Sequence, residues 1–290
     1  MKRNNSSASL FYSYRYFVVK NTQLSLFEND DLSPIIDMIE KCQKEKQISV
    51  EVEGREDLLL YAHNYNEHTH LFKFCRNFPI TKYIHDEEKA EIVESREPNY
   101  PFVYVIIDTH KQIVLLENKT TIYPTIDSCK NAFKAFVIAF IHNLNYSYSM
   151  DEITNLSTFW ETIKNADKIF ELKLNLKSPN LFGSALATNA LLKGIKEDFN
   201  NDELDMSLKN TDGNLSITQE KLGDAIDYAG GGGGHWQLLL IRKGHTTKTK
   251  VISNKSVKTI EVTNFEDEIR LFGNHEIIEK LMGLEDIIKN

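Results

Sequence analysis

The segment ITQEKLGDAIDYAGGGGGHWQLLLIR, residues 217–242, decides how the C-terminal half of this chain folds. Ser216 and Gln219 form the pattern of a capping box, which predicts a helix that runs into Gly230–Gly234. The residues after the glycines are typical of a strand. Loops that hold phosphate place their glycines between a strand and the next helix, so that the positive N-terminus of the helix faces the anion. Here the helix comes first, and the end next to the glycines is the negative one.

The five glycines are therefore interpreted as a connection between a helix and a strand. Gly230 is the expected left-handed residue at the C-terminus of the helix. No Lys-Ser or Lys-Thr pair comes directly after the glycines, as a phosphate-binding loop would require. Because Gly231–Gly234 have no side chains to hold them in place, the sequence predicts a loose joint.

Strand and helix patterns surround this segment. Residues 169–177, IFELKLNLK, alternate between apolar and polar, which predicts a half-buried strand. The stretches 248–254 and 257–262 predict two more strands, and helices are expected at 184–199 and near the C-terminus. Together they predict a C-terminal α/β domain over residues 151–290 with terminal helices.

The preceding half predicts a sheet with packed helices over residues 9–148. A strand rich in aromatic residues opens it, and Ser33 followed by Pro34 marks the start of a helix. Two apolar runs joined by a short polar turn, at 102–118, predict a hairpin. The acidic run 85–97 is expected to be a solvated helix or a loop. The predicted fold class is α+β, with two mixed α/β parts and largely antiparallel sheets.

Composition narrows the class of protein. The chain has 290 residues, 41% of them hydrophobic, and a net charge of −8, which is typical of a globular protein with a sizeable core. Cys42, Cys75 and Cys129 are scattered without a C-x-x-C pair, which argues against a disulfide framework and fits a reducing compartment. The longest apolar runs are too short to span a bilayer. We expect a cytoplasmic protein that has no membrane segment and no cofactor.

Asp108, Glu117 and Lys119 are the strongest indication of an enzyme. Their D-x(8)-E-x-K spacing on a hairpin resembles the PD-(D/E)xK nucleases, in which two carboxylates hold Mg²⁺ and the lysine helps to position the attacking water. A turn centred on 109–111 would place Asp108 at the tip and Glu117 beside 102–103, about 17 Å away. Because one metal ion cannot bridge that distance, the sequence favours a non-catalytic protein, with the Mg²⁺-dependent nuclease as the alternative.

A second candidate site contains residue types that bind zinc. His63, His68, His70 and Cys75 lie close together in the sequence. Their spacing does not follow that of structural zinc sites, and Cys75 falls on the opposite strand face from His68 and His70. A metal site is therefore not predicted.

Basic residues are concentrated between residues 235 and 262. Six cations accompany a single acid, Glu261, which gives a local charge of +5. On a β-ribbon these side chains would neutralise phosphates, and Trp236 would stack on a base if it were exposed. Lysines on an edge strand also protect a sheet from aggregation, and this alternative explains the same residues. The candidate binding residues are Trp236, Arg242, Lys243, Lys248, Lys250, Lys255 and Lys258.

The strand FELKLNLKSPN, the helix–strand alternation after it and the terminal segment KVISNKSVKTIEV resemble an uncharacterised family of bacterial and prophage proteins. The resemblance implies a role in phage–host conflict, either in antiphage defence or in counter-defence. It supplies no site residues. With the basic cluster, it predicts a binding or accessory component that contacts a protein partner or a second copy of itself, or alternatively nucleic acid.

Overall fold

The computed structural model describes residues 8–20, 33–88, 90–177, 192, 194–195, 198–199, 201–263 and 265. The chain divides into two compact units. The first unit contains the N-terminal strand, Gln112–Val114 and the chain from Ser147 onward, and the second unit contains Leu32–Lys111 and Leu115–Tyr146. The change of unit at residue 147 lies close to the predicted domain boundary. The N-terminal strand, however, groups with the C-terminal part of the chain.

The second unit is an antiparallel sheet with two helices. Its strands lie in the order β7 (Phe102–Asp108), β4 (Thr69–Arg76), β3 (Arg55–Asn64) and β2 (Gln47–Val52). β7 leads through a turn into β8 (Ile113–Glu117). The helix α2 begins with a capping box between Thr125 and Ser128, and its Phe133 and Phe136 pack edge-on against Phe74 of the sheet. The elements are α1 (Ser33–Glu45), β2 (Gln47–Val52), β3 (Arg55–Asn64), β4 (Thr69–Arg76), β7 (Phe102–Asp108), β8 (Ile113–Glu117) and α2 (Ile126–Ile141).

A two-stranded hairpin, β5 (Ile80–Asp86) and β6 (Glu91–Glu97), leaves this sheet between β4 and β7. The expectation of a helix or loop at 85–97 is therefore wrong. The chain reverses direction within the short turn after Asp86, where Ala90 has a φ of 50°. Charge dominated the sequence pattern here, but β-branched residues in both runs favour strands.

The first unit contains a second antiparallel sheet. Its strands lie in the order β11 (Glu203–Lys209), β10 (Ala166–Lys177), β12 (Gly234–Arg242) and β13 (Thr249–Ile252). The helices Leu156–Lys164 and Gln219–Tyr228 pack on one face of it, and Phe159, Ile226, Trp236 and Leu172 form the centre of the shared core. In the same unit β1 pairs with β14 and β9. The elements are β1 (Ala8–Lys20), β9 (Tyr146–Glu152), α3 (Leu156–Lys164), β10 (Ala166–Lys177), β11 (Glu203–Lys209), α4 (Gln219–Tyr228), β12 (Gly234–Arg242), β13 (Thr249–Ile252) and β14 (Thr259–Thr263).

The glycine run is a packed turn. Ala229–Gly233 continue α4 as a π-helical turn, and all five glycines are buried. A Cβ atom on Gly230 would lie 2.1 Å from Leu156 Cδ2, and one on Gly234 would lie 2.0 Å from the carbonyl oxygen of Asn175. The predicted loose joint is therefore wrong, and the left-handed residue is Gly232, with a φ of 88°, rather than Gly230. The missing side chains allow close backbone packing here instead of providing freedom.

The predicted fold class is confirmed: the protein is α+β with mostly antiparallel sheets. The predicted helix at 184–199 falls largely outside the described residues, although 192, 194–195 and 198–199 are helical. The predicted terminal helices lie outside them as well. Within the described part of the chain, no helix combines the length and apolar character that crossing a membrane requires.

Candidate functional site

The face of the β10–β13 sheet that points away from the helices is polar. Leu172, Leu174 and Leu176 of β10 point into the core, so the residues between them point the other way. Residues paired across antiparallel strands share a face. The register therefore extends this surface over three neighbouring strands. We call it the lysine face; its residues are Glu171, Lys173, Asn175, Asp205, Ser207, Lys209, His235, Gln237, Leu239 and Lys250.

A groove of about 360 Å³ lies in the lysine face. Hydrogen-bonding side chains line it, including Lys173, Asn175, Ser207, His235 and Gln237. The pairings Lys173 with Ser207 and Gln237, and Asn175 with His235, place them in two adjacent rows across the strands. Asp205 also lines the groove and accepts a 2.8 Å hydrogen bond from Asn175 Nδ2. The arrangement therefore offers ammonium, amide and hydroxyl donors next to carboxylate, amide and hydroxyl acceptors.

Glu171 neutralises part of the positive charge. Its carboxylate lies 3.2 Å from Lys209 Nζ and 3.7 Å from Lys173 Nζ, and it accepts a 3.2 Å hydrogen bond from Ser207. Burial of Glu171 raises its pKa, but the hydrogen bond from Lys209 and the charges of the two lysines outweigh burial, and the pKa is lowered overall. The acid thus stays ionised and holds two lysines in place at the edge of the groove.

The predicted basic residues fall into different environments. Lys250 pairs with Leu239 and belongs to the lysine face. β12 lies between the strand of Lys250 and the strand of Glu171. Lys248 lies with its Nζ 3.9 Å from the centre of the Phe170 ring, at the bulge that precedes Glu171. Both lysines are far from β10 in the sequence, but the sheet places Lys248 against Phe170 of β10 and Lys250 on the same face as Glu171.

The remaining cations are less closely associated with the groove. Lys243 donates to the carbonyl oxygen of Lys164 at the end of α3, and Arg242 and Lys255 are exposed. Lys258 is half-buried, and burial lowers the pKa of its ammonium group. Its backbone N–H donates to Ile153, so this residue belongs to the packing of the unit.

Trp236 is a core residue and not a platform for a base, contrary to expectation. Its exposed fraction is 1%, and its ring packs edge-on against Phe159 with centroids 4.9 Å apart. Trp236 pairs with Leu174 on β10, which explains the difference, since both point to the helix-covered face.

Asp108 and Glu117, the carboxylates of the nuclease alternative, serve different parts of the hairpin. Asp108 accepts from Thr69 Oγ1 at 2.9 Å and from the backbone N–H of Lys111 at 2.8 Å, so it closes the turn. Glu117 accepts from the backbone N–H of Tyr104 at 3.0 Å. Asp108 lies four residues along the strand from Tyr104, which corresponds to about 13 Å.

Lys119 also has a local role, since its Nζ lies 5.1 Å from the centre of the Phe102 ring. Over the part of the chain that the structure describes, no group of three or more His, Cys, Asp or Glu side chains could hold a metal ion. The arrangement of this hairpin therefore accounts for Asp108, Glu117 and Lys119 without a metal.

The histidines considered as zinc ligands have separate neighbours. His70 is buried, its Nδ1 lies 3.2 Å from Gln43 Nε2, and burial lowers its pKa. His68 stacks on His110, and His63 packs edge-on against Tyr65. The nearby Cys75 is buried, and burial raises the pKa of its thiol to about 11.

Sequence reasoning missed the β10 and β11 residues of the lysine face. The signal was present in the alternation of FELKLNLK and ELDMSLK, which places Lys173, Asn175, Ser207 and Lys209 on the side opposite the leucines. Only the pairing of the strands places these residues on the same face as Lys250.

No known family model matches this chain, and comparison with curated proteins also gives no match. The resemblance to a phage–host-conflict family therefore stays a prediction.

Proposed function

We propose that this protein is a non-catalytic binding protein that holds single-stranded nucleic acid on the lysine face. The observation that carries the proposal is that Lys173 and Lys209 line one polar groove and Lys250 lies on the same face of the sheet, in a chain whose net charge is −8. Two acids accompany them, Glu171 beside Lys173 and Lys209, and Asp205 in the lining of the groove, so three lysines against two carboxylates leave an excess of one positive charge for phosphate groups. In an otherwise acidic protein, a local basic surface is what an anionic polymer would recognise.

The groove favours a single strand over a duplex. Its volume of about 360 Å³ is at the lower end of sites that enclose a small ligand, and it matches one unstacked base more closely than a double helix. Asn175, Gln237 and Ser207 offer the hydrogen bonds that the edge of an unpaired base requires. The lysines at its border would contact the backbone on either side.

The defence or counter-defence setting is part of this proposal through the family resemblance alone. In such a setting a non-catalytic protein would act by capturing a strand or by presenting it to a partner. The nuclease alternative is not supported by the separate hydrogen bonds of Asp108 and Glu117.

Fluorescence anisotropy with labelled single-stranded oligonucleotides tests the proposal. Binding should weaken with added salt, and each lysine that contacts a phosphate contributes about 0.7 to the slope of log K against log salt for a single strand. Lys173→Gln, Lys209→Gln and Lys250→Gln together should lower the slope by about 2. Glu171→Gln should tighten binding, because Lys173 and Lys209 lose the acid that neutralises them.

Two exposed lysines provide matched controls. Lys44, changed in Lys44→Gln, lies on α1 of the second unit. Lys221, changed in Lys221→Gln, lies on α4, and Ile226 of that helix packs on the face of the β10–β13 sheet opposite the lysine face. Neither substitution should change the slope by more than a fraction of a unit. Absence of binding at low salt, equal losses in the controls, or tighter binding of duplex than of single strand would refute the proposal.

A further inference from the structure

The β5–β6 hairpin carries large apolar side chains in solvent. Its strands pair with each other in a separate two-stranded sheet. Tyr83 is 73% exposed and Ile92 is 64% exposed, and Ile84 and Ile80 are also exposed. We call β5, β6 and their turn the arm. Isolated two-stranded ribbons have little stability of their own, and exposed apolar groups of this size mark interaction surfaces.

The most exposed apolar residues share one face of the arm. The register pairs Tyr83 with Glu94 and His85 with Ile92, so all four side chains point to the same side. Arg96, paired with Thr81, lies on this face toward the base of the arm. The face therefore combines two large apolar side chains, Tyr83 and Ile92, with charged groups beside them, and such a mixture of aromatic, apolar and charged residues is common in protein interfaces.

Charge is distributed unequally along the arm. At the base, Lys82 is paired with Glu97. The Arg96 side chain is 79% exposed, and its Nε lies 3.9 Å from the carboxylate of Glu94. At the tip, Glu87 and Glu88 are both exposed. The tip is thus acidic, and the base carries two cations, Lys82 and Arg96, each near an acid of its own arm.

We propose that the arm packs against the arm of a second copy of this chain, related by a two-fold axis through its centre and running in the opposite direction. This arrangement joins the two Tyr83–Ile92 faces and places the acidic tip of each arm beside Arg96 of the other. The two tips would lie about 20 Å apart, at opposite ends of seven-residue strands, which is well beyond the screening length of about 8 Å at physiological salt. Near the axis each Tyr83 would pack on its equivalent, and Arg96, on the same strand as Glu94 and 3.9 Å from it, would offset the charge of the two neighbouring Glu94 side chains.

Sedimentation across a dilution series measures the proposed dimer. Tyr83→Ser with Ile92→Ser should raise the dimer Kd about a hundredfold, since each loses the burial of a large side chain. Ile36→Ser, at a 40% exposed apolar residue on α1, is the control and should leave Kd unchanged. Circular dichroism checks that the variants stay folded, as the high exposure of both arm residues predicts.

Charge exchange tests the direction of the two arms. Arg96→Glu and Glu88→Lys should each raise Kd severalfold, and the double variant should recover most of the loss because the pair is restored between copies. Recovery that fails would contradict the antiparallel arrangement.

A disulfide trap gives independent evidence. The native Cys42, Cys75 and Cys129 are buried, so a cysteine introduced on the arm would react selectively. Glu94→Cys, near the two-fold axis, should cross-link to its equivalent in the partner under mild oxidation, whereas Glu88→Cys, at the tip, should not. The proposal would be overturned if the wild-type protein sediments as a monomer, or if the Tyr83→Ser, Ile92→Ser variant dimerises with the same Kd as the wild type. Equal cross-linking of Glu94→Cys and Glu88→Cys would also overturn it.

Discussion

Replacing either of two glycines in the same run, Gly231 or Gly234, by alanine should have opposite effects on stability. At Gly234, φ is 151° and ψ is −157°, a conformation that residues with a side chain rarely adopt. A Cβ atom there would also meet the carbonyl oxygen of Asn175 at 2.0 Å, and a backbone atom of a paired strand cannot move aside cheaply. At Gly231, φ is not positive and a Cβ atom would meet nothing within 4 Å.

The expected magnitudes follow from these contacts. Gly234→Ala combines backbone strain of about 1–3 kcal/mol with overpacking of about 1–3 kcal/mol. We expect the free energy of unfolding to fall by about 4 kcal/mol in all. Gly231→Ala should leave stability unchanged or raise it by about 0.4–1 kcal/mol, because alanine restricts the unfolded chain.

Urea unfolding followed by tryptophan fluorescence measures both variants. The two tryptophans of the chain, Trp160 and Trp236, both belong to the core of the first unit, so their emission reports on the unit that contains the glycines. With a slope of about 3 kcal/mol per M, the midpoint of Gly234→Ala should fall by a little over 1 M. Equal midpoints for the two variants, or a Gly234→Ala protein as stable as the wild type, would show that the glycines form a loose joint after all.

Two further outcomes follow from burial in the second unit. Iodoacetamide at about pH 8 should label none of Cys42, Cys75 and Cys129 in the folded protein and all three after unfolding. The reason is that burial raises the pKa values of the three thiols to about 12, 11 and 12. Labelling of the native protein would contradict this prediction. Burial lowers the pKa of His70 below its ordinary 6.5, so protons favour the unfolded chain, and the contribution of His70 to stability is lost as pH falls below about 6.5. The loss of unfolding free energy from about pH 7 to pH 5 should be smaller in His70→Gln than in the wild type, and equal losses would count against a buried neutral His70.

Local patterns in the sequence determined the class of fold. The alternation of IFELKLNLK, the two apolar runs around Thr109–Lys111 and the Ser33–Pro34 helix start all correspond to elements of the structure. These signals depend on neighbours within a few residues, which is why they could be read without the tertiary structure. The hairpin at 80–97 escaped because its charged residues obscured a strand pattern that has no buried face.

The candidate sites depended on pairing between distant strands. The sequence determined that lysines cluster after His235, but only the register of β10 to β13 places Lys250 on the same face of the sheet as Lys173 and Lys209. The same register turns Trp236 into the core. A one-residue shift in a strand exchanges its two faces, so the orientation of a side chain is decided by packing over the whole sheet. For the same reason the five glycines revealed a special backbone but not its purpose, which depends on Leu156 and Asn175 lying against them.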